Sequence, residues 1–550
     1  MIERPEMPDQ ETAPTAGYFR ALSESDASPV ISWTTRIVIA ALAISGVVLA
    51  GWTLFPPANT AVPIRAPLNA ASCFGLSAVL LLLLSSRSGE PLPAEAGLAP
   101  ARHHLLPLIA LYVLIACQFW QVTGTFFLSD DFILIHYART HFHEFLREFV
   151  TPGGDGGFRP VTDISFALTA GWAGFSPFRW HMISLAIHAL NASLLYLLAL
   201  RFGWTQPAAW TAAALFAIHG ITPEAVVWIT ARFDLLATFF VLASMLCFVV
   251  SWQGYGRAWL WRAASLLAMI LGMFSKESAY ILPVLLTLWV LLGEGRPRRF
   301  RALIPFWIGA ACIFAYRWIL FGGIGGYRDA TGQEAVYSIT PFTFLKVLAW
   351  RMWSILLFPL NWSIRPEWPI GIGSVLFLAA LIYLARQRLA RAPLFFSLGW
   401  VMICALPPLH LLLIGSDLTK SRYLYMSLAG FCLLLGACAA KLPGRARWAG
   451  ILVLCGFSFA ATRHNLEAWR YASDHALTSC SAVARCTKDR ARIQAVHLPR
   501  TLNGVWFFAN GFPECVDMQH ESGAVPPPAS ESSSCRYDWN PVRHELRQAF

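Results

Sequence analysis

Charge is what this sequence has least of. Of its 550 residues only 13% are Asp, Glu, Lys or Arg, while 56% are hydrophobic. A soluble protein carries about a quarter charged residues, so a soluble domain is excluded. The short alternating strands of a membrane barrel are missing as well. No nucleotide fingerprint is present, since TPGGDGGF (151–158) is too irregular for one and reads as a flexible loop that admits acceptor. No CxxC pair occurs, which counts against zinc. The first thirty residues are polar, acidic and proline-containing, and read as a disordered cytoplasmic lead-in and not as a cleavable signal peptide.

What is abundant is the long apolar run, as in LLPLIALYVLIACQFW (105–120) and LLATFFVLASMLCFVV (235–250). With its flanks each approaches the roughly 20 residues that cross a bilayer as a helix. The expectation is an all-α polytopic membrane protein of about 13 transmembrane helices. Spans are expected at 31–54, 68–86, 105–124, 181–201, 207–222, 233–251, 258–275, 277–293, 302–321, 370–386, 394–414, 424–440 and 448–462. The basic loops GRPRRFRA (295–302), ARQRLARA (385–392) and KLPGRARW (441–448) mark the cytoplasmic side. That also accounts for the net charge of +11 without nucleic acid. Parity then requires residues 341–358 to be interfacial or re-entrant, with the N-terminus inside and the C-terminus outside.

The division expected is a lead-in (1–30), two extra helices (31–104), a membrane core (105–463) and an extracytoplasmic tail (464–550). The tail holds Cys480, Cys486, Cys515 and Cys535. An even number of cysteines outside the cytoplasm points to two disulfides, with zinc as the rival.

Four polar clusters fall on the outer face by this parity. They are Asp130-Asp131, which follows twenty-five uncharged positions from Leu105 to Ser129, then HGITPEAVVWITARFDLL (219–236), FSKES (274–278) and SDLTKSRYLYM (416–426). Ionisable groups at membrane depth are costly unless paired or wetted, so they are functional candidates, and their convergence argues for one polar cavity. His181, Ser184, His188 and Asn191 form one stripe of a helix facing the bundle interior. Mutual satisfaction across packed helices is the plainer reading of the deeper pair.

The ordered set FRPVTDISFAL, GFSPFRWHMISLAIHALNASLLYLL, AIHGITPEAVVWITARFDLLATFF, FSKESAYILP and SRYLYMSLAGFCLLLG, after an outer Asp-Asp, resembles integral-membrane glycosyltransferases of the GT-C class. The likeness is to the protein O-mannosyltransferase-like branch, including the transmembrane and tetratricopeptide-repeat O-mannosyltransferases and their bacterial relatives. It covers roughly 105–440 and departs in its two extra spans and in lacking thirty-four-residue repeats.

The resemblance implies an inverting transfer of mannose or another sugar from a polyprenyl-phosphate donor to an extracytoplasmic protein or glycan, in a bacterial plasma membrane. The partners implied are that donor, membrane lipid and the acceptor. A departing phosphate needs cations more than a protonated acid, which leaves one carboxylate to activate the acceptor hydroxyl. Adjacent side chains diverge, so one aspartate is the base, Asp130 by family pattern. Asp131 orients acceptor or donor, in one version through a divalent metal, or caps the following helix. Arg159, Arg232, Lys276 and Arg422 are the phosphate candidates, with Lys276 beside Glu277 and Arg232 near Asp234 open to structural pairing instead. His181, His219, Glu224, Asp234, Glu277 and Tyr423 complete the substrate-binding set. His136, His141 and His143 lack the spacing of a helical zinc site. A lipid-linked oligosaccharide ligase or polymerase, a secondary transporter and a lipid-binding scaffold are the alternatives.

Overall fold

The structure is a computed structural model that describes residues 102–140, 147–151, 157–253, 257–292, 297–322, 346–361, 375, 379, 382–383, 391–408, 417–440, 444–487, 493–526 and 535–548. The spans expected at 31–54 and 68–86, most of that at 370–386, His141, His143 and most of TPGGDGGF lie outside these residues.

The bundle begins with α1 (Arg102–Phe119), the surface helix α2 (Asp130–Thr140), α3 (Pro160–Ala173) and α4 (Pro177–Arg201). It continues with α5 (Gln206–Ile218), the short α6 (Thr222–Val227), α7 (Arg232–Trp252) and α8 (Ala258–Met273). Then come α9 (Leu282–Leu292), α10 (Ile304–Phe321), α11 (Met352–Leu357), α12 (Arg391–Ala405), α13 (Tyr425–Ala440) and α14 (Gly444–Ala484). Proline at the first or second position opens α3 to α6 and α10, where its missing N–H costs nothing.

Among the described residues five segments are long and apolar enough to cross a membrane: His103–Val122, Pro177–Arg201, Ile229–Trp252, Phe300–Phe321 and Ser421–Ala439. Shorter apolar helices occupy Ala258–Met273, Glu277–Leu292 and Ala392–Ala405. The chain is therefore an integral membrane protein. The expected span 207–222 is not among these five segments. Its helix, α5, has 13 residues, a rise of about 20 Å against a hydrocarbon core of about 30 Å. Alanine explains its place, because Ala208 and Ala212 let α13 approach so closely that a Cβ on Gly436 would sit 2.8 Å from Ala208 O. The boundary expected at 463/464 falls inside α14, which runs unbroken for 41 residues and carries the chain out to the polar tail.

That tail is a small module. A three-stranded sheet is ordered β1 (Ile493–Val496), β4 (Cys535–Asn540), β5 (Glu545–Gln548), with β1 parallel and β5 antiparallel to β4. A hairpin of β2 (Thr501–Leu502) and β3 (Val505–Trp506) precedes α15 (Phe512–Glu521). Disulfides Cys480–Cys515 and Cys486–Cys535 tie α15 and β4 to the end of α14. Such links stabilise chiefly by restricting the unfolded chain, typically by about 2–4 kcal/mol each.

Candidate active site

Asp130 and Asp131 open α2, and their side chains part company as adjacent positions must. Asp131 is 2% exposed. Its Oδ1 accepts from Thr230 N and Thr230 Oγ1, both at 2.7 Å, and its Oδ2 accepts from Leu128 N at 3.2 Å. It thus ties the turn that precedes α2 to the turn before α7. Burial pushes its carboxyl up to about 7 despite these donors. Asp130 is half-buried, and its Oδ1 accepts from Asn510 Nδ2 at 2.7 Å and from Ser129 Oγ at 3.4 Å.

The charges of the other clusters form one knot. Glu224, at the start of α6, receives five donors: Lys420 N, Ser421 Oγ, Arg422 N, Arg422 Nη1 at 2.6 Å and Trp506 Nε1 at 2.8 Å. The Lys420 and Arg422 amides reach it because Leu418 and Lys420 adopt positive φ, at 60° and 77°. Such turns cost about 1–3 kcal/mol and persist only where the surroundings over-determine them. Asp234 pairs with Lys276 Nζ at 2.5 Å and with Arg422 Nε at 3.7 Å. Glu277 joins Arg159 and Arg317, each at 3.1 Å. Four basic side chains thus meet three carboxylates, a surplus of one positive charge among these seven groups.

Aromatic faces line the knot. The Arg422 guanidinium lies 4.4 Å from both the Trp228 and Tyr423 rings, and Lys276 Nζ is 4.7 Å from Tyr423. Trp228 donates from Nε1 to Leu128 O at 3.1 Å. An unbroken path of contacts therefore runs from Leu128 and Asp131 through Thr230, Trp228, Arg422 and Asp234 to Lys276. Asp130 sits at the outer end of this path.

Three candidates lie buried within the bundle. His181 Nε2 meets Thr125 O at 3.0 Å, and His219 Nε2 meets Leu356 O at 3.0 Å. Arg232 is fully buried, donates to Thr169 Oγ1 at 2.8 Å and lies against the Phe166 and Trp180 rings. Within the interior stripe His188 Nδ1 meets Tyr425 Oη at 2.6 Å, and Asn191 Nδ2 donates to that oxygen and to Leu235 O. The segment expected to be re-entrant is described from 346, and its buried end 352–361 packs against His219 and Gly220.

Three participants were not anticipated. Arg317 is a lone charge inside the apolar run IFAYRWILF, a signal that was there to be read. Trp506 and Asn510 come from the tail, whose polar composition gives no hint of them. Among the described residues no group of three or more His, Cys, Asp or Glu is placed to hold a metal ion.

Fold and site together define a polytopic helical membrane protein with a charged, aromatic-lined site at one end of its bundle. No family profile matches the chain. It is similar to human protein O-mannosyl-transferase TMTC2, 33% identical over 132 residues, which cover 23% of this chain and 15% of that protein. The Drosophila melanogaster Tmtc2 protein O-mannosyl-transferase is 32% identical over 132 residues, 23% of this chain and 14% of that protein. A Caenorhabditis elegans protein O-mannosyl-transferase is 24% identical over 409 residues, 66% of this chain and 55% of that protein. The resemblance carried by the motifs is thus one to protein O-mannosyl-transferases, and the chain spans about 15% of the length of the first of them. Among solved structures, the Archaeoglobus fulgidus oligosaccharyltransferase AglB, in complex with an inhibitory peptide and a dolichol-phosphate, matches with a TM-score of 0.46 and 12% identity. That match covers 76% of this chain and 64% of AglB.

Proposed function

We propose that this chain is an inverting glycosyltransferase that moves a sugar, mannose in the first instance, from a polyprenyl phosphate to a hydroxyl acceptor on the extracytoplasmic side of a plasma membrane. The observation that carries the reading is the contact path from the Asp130 loop to the Lys276–Asp234–Arg422 knot. It links the loop that precedes Asp130 to a cluster of side chains with a surplus of positive charge. The acceptor oxygen attacks C1 of the sugar, its proton passes to Asp130, and the C1–O bond to phosphate breaks with its electron pair leaving on the phosphate. Lys276 and Arg422 stabilise that anion, with Glu224 and Asp234 holding them in place. Fixed cations of this kind are worth about 10²–10³ in rate, and a positioned base about 10²–10⁴.

Asp131 braces the turn on this account and takes no proton from the acceptor. The disulfide-linked module supports the extracytoplasmic placement, since such links persist in oxidising compartments. The test is the purified full chain in lipid nanodiscs, given labelled polyprenyl-phosphate mannose and a Ser/Thr-containing peptide. Labelled peptide plus free polyprenyl phosphate is expected. Turnover only with a pyrophosphate-linked oligosaccharide would transfer the reading to a ligase. Uptake into sealed vesicles without transfer would make the protein a transporter.

A further inference from the structure

We infer that Asn510, from the C-terminal module, is a positioning residue that fixes the carboxylate of Asp130. This rests on the reading of Asp130 as the acceptor-activating base. Asp130 takes one short hydrogen bond among the described residues, and it comes from an amide 380 positions further along the chain. The Ser129 hydroxyl is at the limit of contact, at 3.4 Å. An amide N–H holding Oδ1 restricts the carboxylate's rotation and leaves Oδ2 for an acceptor hydroxyl. The amide itself accepts no proton, so it acts only through Asp130.

The segment that delivers Asn510 is braced at every step. Asn503-Gly504 makes the hairpin turn, with φ of 49° and 78° at the two central positions. That is the conformation a two-residue type I′ connection demands. The turn is seated tightly: a Cβ on Gly504 would lie 2.6 Å from Asn361 Oδ1, and Asn361 Nδ2 donates to Asn503 O at 2.8 Å. Next, Trp506 stacks on Trp228 at 5.7 Å and donates to Glu224. Phe508 stacks on Phe132, two residues from Asp130, at 6.1 Å. Directly after Asn510 the chain enters α15, which packs against α2 and is tied to α14 by Cys480–Cys515. An exposed asparagine at the end of so constrained a path is aimed by the fold. Neither the membrane core nor its resemblance supplies this residue, so the tail completes the site.

The test compares Asn510→Ala, Asn510→Asp and Asp130→Asn in the full-length chain. Asn510→Asp keeps the size of the side chain but replaces the donor with a carboxylate facing Asp130. A role in packing alone would tolerate it. The expected result is a kcat at least tenfold lower for Asn510→Ala and lower still for Asn510→Asp, with the donor KM within twofold of wild type. A second readout needs no donor. Labelling of Asp130 by a water-soluble carbodiimide, followed by mass spectrometry, should quicken several-fold in Asn510→Ala. Wild-type kcat and labelling in both Asn510 variants, alongside an inactive Asp130→Asn, would overturn the positioning role and leave the base in place. An active Asp130→Asn would overturn both.

Discussion

Two polar regions lie in this apolar bundle, and they differ in what each leaves over. Inside the membrane, His188, Asn191 and Tyr425 are neutral groups that bond to one another and to the carbonyls of Ala217 and Leu235. At one end of the bundle, Arg159, Lys276, Arg317 and Arg422 bond to Asp234, Glu224 and Glu277 and retain a surplus charge among the seven. The first arrangement fastens helices together. The second keeps a surplus charge, which on the proposed function a phosphate would complement. Polar side chains in a bilayer protein thus divide by whether their network is neutral or charged.

The sharpest way to break this contrast is to remove one charge from the rim. Arg422→Gln leaves Glu224 buried with three backbone or hydroxyl donors and an indole but no cation. Breaking a buried pair from one side costs about 3–5 kcal/mol, and the fixed cation is worth about 10²–10³ in rate. Thermal inactivation in detergent and transfer per folded molecule should both fall. Lys276→Met should share the loss of transfer. A loss of stability with full transfer in the surviving protein would make the knot purely structural.

Cutting a staple comes next. Cys515→Ser removes the link to Cys480, and a disulfide of this kind contributes about 2–4 kcal/mol. The melting midpoint should drop, and a reductant should lower the wild type to a similar extent. An unchanged midpoint would show that the module docks without it.

Asp131 supplies a test by pH. Its carboxyl is held up to about 7 against an ordinary 3.8. The folded state therefore binds its proton more tightly than the unfolded state does. Its contribution is fully present below about pH 4 and is lost as pH rises to about 7. Between those values wild-type stability should fall with pH more steeply than that of Asp131→Asn. Equal slopes, read from melting midpoints at several pH values, would contradict the burial argument.

The smallest effect belongs to the stripe. Tyr425→Phe removes the hydroxyl shared by His188 and Asn191 and should cost about 1–3 kcal/mol for the buried partners left unsatisfied. Transfer per folded molecule should stay within twofold. A large loss of transfer would move the stripe into the active site.

Much of this was legible in the sequence because charge is so scarce there. In a chain with so few ionisable groups, Asp130, Glu224, Lys276 and Arg422 stand out in their apolar flanks, and burial then pairs the last three with opposite charges. The stripe was legible too, from spacings of three and four on one helix face. Pairings were not legible, since nothing in FSKES says that Lys276 turns to Asp234 and Glu277 to Arg159 and Arg317. Helix length was not legible at α5, where small residues let α13 approach closely. The reach of the tail was hidden for another reason. Asn510 meets Asp130 across 380 residues, and only the Asn503-Gly504 turn signal marks its hairpin locally.

The most direct measurement is sugar transfer by Asp130→Asn, purified in lipid nanodiscs, against the wild type under the same donor and acceptor. The substitution keeps the side chain's size and its capacity to accept from Asn510 while removing its ability to take a proton. Transfer reduced by 10² or more, with an unaltered melting midpoint, is the expected result. Wild-type transfer by that variant would contradict the assignment of the base, and with it the mechanism built on this site.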